Sequence, residues 1–233
     1  MAFLSPLYLS VPSERRIDPM TVLITGANRG IGAQLSQLMA SDGQSVIGTA
    51  RDGSQAIQLD VTSPEDQAVM AEKLRGTPID LLICNAGVYL DKGQPLDTGY
   101  PVDMWAQTFA ANVTGVFLTV QGLLPNLCAV PGAKIAIISS QMASHERAPG
   151  GSYIYRASKA AVLNVGRNLA ADLRGEGIAV GIYHPGWVQT DMGGTSADIT
   201  PSEAAQGLVQ RFDALSMETT GCFETWDGRT HPY

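Results

Sequence analysis

Two side chains in the run Tyr153-Ile-Tyr-Arg-Ala-Ser-Lys159 are placed to move a proton: the Tyr155 phenol and the Lys159 ammonium, four positions apart. In a helix that spacing puts both on one face, with Cβ atoms about 5–6 Å apart. A free tyrosine titrates near pH ~10, and a neighbouring cation favours the phenolate and lowers that value. The pair reads as a general acid–base, a device that contributes about 10²–10⁴ in rate. Ala160, Ala161, Leu163, Leu169, Ala170, Ala171 and Leu173 keep helical spacing until Gly175 and Gly177, which predicts a helix over 153–174. Tyrosine four before lysine is also common on solvated helix faces, so its meaning depends on what stands elsewhere in the chain.

Upstream lies Thr25-Gly-Ala-Asn-Arg-Gly-Ile-Gly32, between the apolar run Thr21-Val22-Leu23-Ile24 and a helical pattern over 30–41. Glycine at 26, 30 and 32, with Asn28, Arg29 and Ile31 between, permits a tight turn and a close approach of backbone to a pyrophosphate, whose charge the helix N-terminal amides meet. The turn therefore reads as a dinucleotide site. At the end of the second strand an acid hydrogen-bonds ribose hydroxyls, whereas an arginine accommodates a 2′-phosphate. Here the residues are Ala50-Arg51-Asp52. Arg51, seconded by Arg29, favours NADP(H); Asp52 beside it leaves NAD(H) open, as does reading both arginines as solvated loop residues.

Short aliphatic runs near 21–25, 45–49, 56–59, 79–84, 133–138, 178–183 and 221–224 alternate with helical patterns over 30–41, 64–74, 102–125, 153–174 and 201–214. That alternation predicts a doubly wound α/β fold of Rossmann type: a mainly parallel, seven-stranded sheet with helices on both faces. Ser63-Pro64-Glu65-Asp66 and Thr200-Pro201-Ser202-Glu203 read as helix starts, with a capping hydroxyl, a proline at the first position and acids near the positive end of the dipole. Only about six residues separate the second and third strands, too few for a crossover helix, so either a helix is missing there or the edge strand is irregular. Residues 20–233 read as a single domain that includes the substrate site, and 1–19 as a flexible extension, with Met20 a candidate start.

With 233 residues, 45% hydrophobic and 16% charged, the chain is large enough for one core without disulfide staples. A formal charge of −7 argues against nucleic acid or an anionic membrane as partner. No apolar stretch reads as long enough to span a bilayer. Cys84, Cys128 and Cys222 read as buried free thiols of a reducing compartment, which with the lack of a secretory signal implies a cytoplasmic location. His145, His184 and His231 have no ligand spacing, so no metal is expected, and each reads as a loop or surface residue. The chain contains no Gly-x-Ser-x-Gly elbow of a serine hydrolase, and a sugar epimerase would carry a larger region after Thr190.

Taken in order, these motifs resemble the short-chain dehydrogenase/reductase family over nearly everything from Met20 to the C-terminus. Besides the glycine turn, Leu59-Asp60-Val61 is similar to the segment whose aspartate meets the adenine. Asn85-Ala86-Gly87 resembles the motif that lies along the cofactor and stabilises the sheet. The resemblance makes Asn112 the helix-embedded asparagine that holds a water in a proton relay, and Ser140, rather than Ser139, the catalytic serine. It also makes Pro185, Gly186, Val188 and Thr190 the turn beside the nicotinamide. Tyr155 would be the acid, and Lys159 would lower its pKa and hold the nicotinamide ribose. Gly150 to Lys159, the run His184 to Gly194 and a late glycine near Gly228 are similar to the C-factor-like and Sniffer-like carbonyl reductases. Two departures stand out: Ser140 lies farther from Tyr155 than in many members, and segment 50–56 is compressed.

The resemblance implies an NADP(H)-dependent oxidoreductase interconverting a small carbonyl and an alcohol, acting as a homodimer or homotetramer. Leu123, Leu124, Leu163 and Leu169 suit either a subunit face or the core. Tyr89, Met142, His145, Tyr153, Trp187 and Met192 are candidate substrate walls, each with an equally simple reading as packing or loop surface. The alternative is a nucleotide-binding signalling or regulatory protein of the same fold with little turnover.

Overall fold

The structure, a computed structural model, describes residues 19–233; apart from Pro19, the expected N-terminal extension lies outside the described residues. The strands β1 (Thr21–Thr25), β2 (Ser45–Ala50), β3 (Ile57–Gln58), β4 (Leu81–Cys84), β5 (Lys134–Ile138), β6 (Ala179–His184) and β7 (Phe223–Thr225) form one sheet. Their order is 3-2-1-4-5-6-7, and every neighbouring pair is parallel. The sheet is all-parallel rather than mainly so. Successive side chains in a strand point to opposite faces, and both faces here are apolar. Val22, Ile24, Leu81, Ile83, Ala136, Ile138 and Tyr183 pack on one face with Leu35 and Met39 of α1 (Gly30–Ser41) and Leu208 and Phe212 of α6 (Pro201–Ala214). Leu23, Leu82, Ile135, Ile137, Val180 and Ile182 pack on the other. Met70 of α2 (Pro64–Lys73), Leu123 and Leu127 of α4 (Gly115–Cys128), and Val162 and Leu163 of α5 (Tyr153–Asp172) cover that second face. Leu124 and Leu169 also pack against this core.

The helix starts form as their residues dictate. Ser63 Oγ accepts from Asp66 N at 3.1 Å, and Thr200 with Glu203 closes a reciprocal capping box. Between β2 and β3 there is no helix. Asp52 instead accepts from the amide and hydroxyl of Ser54, and Gln58 Nε2 donates to the Arg51 carbonyl at 3.2 Å.

Three sequence expectations need correction. First, α3 (Val102–Phe109), a π-helical turn at Ala110–Thr114 and α4 run on as one helix of 27 residues, long and apolar enough by length and composition to cross a membrane. Here its apolar side, with Val116, Val120, Leu123 and Leu127, belongs to the core. Second, Cys128 is exposed at the end of α4 and Cys222 only partly buried; Cys84 alone is fully sequestered, its thiol pushed up to about 12 by burial. Third, His184 and His231 are not surface residues but buried, with ring centroids 6.1 Å apart.

Burial, and then the neighbouring His231, push the His184 imidazole down to about 3. A folded value below the ordinary ~6.5 means that the unfolded chain binds the extra proton first, so stability present at neutral pH is lost as pH falls from about 6.5 toward 3. The expected loss through this group is about 1.4 kcal/mol per pH unit in that window. Thermal melting of the protein and of His184→Gln between neutral and mildly acidic pH checks this: the variant should lose less stability on acidification.

Candidate active site

β1 and β4 are neighbours in the sheet, and the chain winds in opposite directions from them, so their carboxyl ends open a crevice at the topological switch point. The Thr25 hydroxyl, buried there, accepts from the amides of Asn85 at 3.0 Å and Ala86 at 3.1 Å. Asn85 Nδ2 in turn donates to the carbonyls of Thr25 at 3.0 Å and Gly26 at 3.1 Å. The Asn-Ala-Gly segment thus ties two strand ends together.

Gly26 has φ +67, and a Cβ on Gly32 would run into the Gly26 carbonyl and come within 2.6 Å of Asn85 Nδ2. The glycine turn therefore lies flat against β4 and leaves the start of α1 open. That start has no side-chain cap and no acid in its first turn, so its amides and the positive end of its dipole suit an anionic group such as a pyrophosphate. Arg51 stands exposed just beyond β2, while Asn28 Nδ2 donates to Asp52 at 2.9 Å. Arg29 pairs with Asp191 at 2.6 Å, and both are exposed. The Thr190 methyl group approaches Gly30 from the loop after β6. Asp60 accepts from the amide and hydroxyl of Thr62. The residues present fit a dinucleotide.

Tyr155 and Lys159 lie in the first turns of α5, both buried. The Lys159 ammonium is 5.7 Å from the Tyr155 ring centroid and donates to the Ile138 carbonyl at 2.9 Å. Ser140, just past β5, lies near enough to the phenol to favour its ionised form; its hydroxyl accepts from Met142 N at 3.1 Å. Ser139 instead donates to the Lys159 carbonyl at 3.1 Å, a packing role that leaves Ser140 as the site residue.

Asn112 occupies the π-helical turn, a feature that often marks functional positions. Its Oδ1 accepts from Val88 N at 2.8 Å, and its Nδ2 donates to Val88 O at 2.9 Å and Ser158 Oγ at 3.0 Å. These bonds fasten the long helix to the segment after β4. Ser158, which completes this link, stands beside Lys159 in the tyrosine–lysine run, and that position is the sequence signal that could have marked it.

The electrostatics differ from the expected acidified phenol. Burial pushes Tyr155 above the ordinary tyrosine value; the nearby Ser140 hydroxyl pulls it down, while Tyr89 and Asp91 push it further up. Burial also pushes Lys159 down, to about 8.

Of the candidate substrate walls, two meet Tyr155. The Tyr89 ring stacks on it with centroids 4.1 Å apart, and Met192 Sδ lies 4.0 Å from its hydroxyl. Met142 sits beside Ser140. Trp187 donates to Gly193 O at 3.0 Å, so it braces the Met192 loop. Tyr153 packs edge-on against Tyr100 rather than Tyr155. His145 is exposed and makes no hydrogen bond or ring contact with the cluster among the described residues.

A nucleotide cradle and a buried tyrosine–lysine pair sharing one crevice mark the doubly wound oxidoreductases that work with NAD or NADP. The chain belongs to the short-chain dehydrogenase family, whose sequence profile, described as short chain dehydrogenase, matches residues 20–200. It is 35% identical over 225 residues to 1-hydroxy-2-glutathionyl-2-methyl-3-butene dehydrogenase of Rhodococcus sp. (strain AD45), covering 89% of this chain and 97% of that protein. It is 38% identical over 157 residues to C-signal of Myxococcus xanthus, covering 67% and 93%. The NADPH-bound carbonyl reductase from chicken fatty liver superposes with a TM-score of 0.84 at 29% identity, covering 93% of this chain and 100% of that one.

Gly32→Ala tests the cradle. The added methyl group meets main chain rather than a flexible side chain, so a loss of about 1–3 kcal/mol in stability is expected. NADPH binding, followed by the nucleotide's fluorescence, should weaken in parallel.

Proposed function

We propose that this chain is an NADPH-dependent carbonyl reductase acting on small aldehydes, ketones or quinones. The observation that carries the reading is the buried Tyr155–Lys159 pair at the start of α5, which opens on the same switch-point crevice as the nucleotide cradle with Ser140 at the neighbouring strand end. The bound nucleotide supplies the hydride. Asn85, Ala86 and Gly87 would hold it on one side and Pro185, Gly186, Val188 and Thr190 on the other, with Lys159 toward the nicotinamide ribose and Arg51 toward the 2′-phosphate.

The chain's own task is to orient the carbonyl and manage one proton. Ser140 donates a hydrogen bond to the substrate oxygen, and Tyr155 delivers its phenolic proton to the same oxygen as negative charge develops there. A phenol held above its ordinary value by burial stays protonated at neutral pH, which suits reduction. For alcohol oxidation the same group must first lose its proton. Tyr89 and Met192 would confine the substrate from the two sides on which they meet Tyr155. The similarity to a carbonyl reductase carrying NADPH supports both the reaction class and the nucleotide.

A second reading draws on the similarity to C-signal: a nucleotide-binding signalling or regulatory protein with little turnover. Tyr155→Phe separates the two. A reductase should lose at least about 10²-fold in kcat with NADPH binding unchanged, whereas a regulator's output should survive. NADPH oxidation measured against a panel of aldehydes, ketones and quinones, with NADH in parallel, tests the function directly. No turnover of any member would overturn it.

For the nucleotide preference, Arg51→Ala should raise KM for NADPH about tenfold through loss of a charge-assisted phosphate contact and leave KM for NADH unchanged. Equal effects on both would overturn the assignment of Arg51.

A further inference from the structure

Tyr155 is the third residue of α5, so the position of its phenol depends on how that helix starts. The start is locally defective. Ser152, at the N-cap, has a left-handed backbone (φ +50), its hydroxyl caps no amide, and no acid stands in the first turn. The first amides of a helix have no partner within it. The Asp91 carboxylate, 0% exposed, supplies that partner from across the chain. It accepts from Ile154 N at 2.8 Å and from Tyr155 N at 3.2 Å.

Asp91 belongs to the segment after β4, Val88–Lys92, which grips the site at further points. Val88 holds Asn112. The Tyr89 hydroxyl meets Ser152 Oγ at 2.5 Å while its ring covers Tyr155. Lys92 Nζ donates to Met192 O at 3.1 Å.

We infer that Asp91 is a positioning residue for Tyr155: by capping α5 from the β4 side of the crevice it fixes where the phenol stands and sets the charge behind it. The inference rests on the reading of Tyr155 as the general acid–base. A buried carboxylate is costly unless its oxygens receive hydrogen bonds, and a serine or asparagine could satisfy the same amides with a smaller desolvation cost. What the carboxylate adds is negative charge. The groups facing the phenol are Tyr89 and Asp91 from this segment, Ser140 from the end of β5, Lys159 from α5 itself and Met192 from the loop after β6. Asp91 acts in the direction that keeps the proton on, so its charge sets the pH at which the phenol can act as a base in alcohol oxidation.

The test uses Asp91→Asn and Asp91→Ala in the full chain with NADP(H). Para-nitrobenzaldehyde and para-nitrobenzyl alcohol, or the best matched pair from the panel, serve as probes, with rates expressed per NADPH-binding site. Asp91→Asn keeps one acceptor oxygen and removes the charge. The pH midpoint of its alcohol oxidation should fall by at least about half a unit, a shift that a purely structural role would not produce. Asp91→Ala also loses the cap, so kcat should drop about 10- to 100-fold while KM for NADPH stays within about twofold.

An unchanged pH midpoint in Asp91→Asn together with an unchanged kcat in Asp91→Ala overturns the inference. So does failure of both variants to bind NADPH, which would make Asp91 a general folding residue. If Tyr155→Phe is inactive and the Asp91 variants are normal, only the role of Asp91 falls. If Tyr155→Phe is as active as the unaltered protein, or nothing on the panel is turned over, the reductase reading falls and this inference with it.

Discussion

The seam between β1 and β4 is the constraint on which the site depends. Parallel strands joined by crossovers leave their carboxyl ends splayed at the switch point, and the crevice there needs polar side chains to hold its shape. Thr25 and Asn85 do this with four hydrogen bonds across the gap. The same asparagine bounds the space behind Gly32, so the seam also decides how closely the glycine turn can lie against the sheet. The nucleotide cradle and the reacting centre therefore share one scaffold, with little freedom to shift relative to each other.

Several buried polar side chains around the reacting centre are bonded to the main chain of another segment. Lys159 takes the Ile138 carbonyl, Ser139 the Lys159 carbonyl, and Asn112 both backbone groups of Val88. Such groups would be costly in an apolar interior if left unpaired. Paired this way, they join the ends of β4, β5 and the two long helices. Burial governs the electrostatics of the pair, pushing the phenol up and the ammonium down.

The fold was largely legible in the chain because local and global signals agree. Aliphatic runs marked the strands, Ser63-Pro64 and Thr200-Pro201 marked two helix starts, and the short spacing after Arg51 disclosed the absent helix. The glycine turn and the tyrosine–lysine spacing pointed to the crevice for the same reason: backbone geometry and helix periodicity are local. What escaped was non-local. Tyr89 against Tyr155, Asp91 under α5 and Val88 on Asn112 join residues far apart in sequence, and a lone acid in a loop such as Asp91 has no periodicity to betray it. The direction of the phenol's shift escaped too, since burial is a tertiary property. The helix through Asn112, expected over 102–125, runs on to Cys128, and the π-helical turn inside it at 110–114 left no mark in the apolar spacing.

The helix-free link between β2 and β3 has its own consequence. Residues 51–54 are solvated and held mainly by the Asp52–Ser54 turn, and β3 is two residues long. The core beneath this rim is carried by β1, β2 and β4, and exchanging side chains on the rim disturbs few of its contacts. The two ends of the crevice consequently differ in how they tolerate change. The edge near Arg51 can accept new side chains, and so new nucleotide preferences, at small cost to folding, while the interlocked end around Tyr155 resists any replacement that its neighbours do not accommodate together.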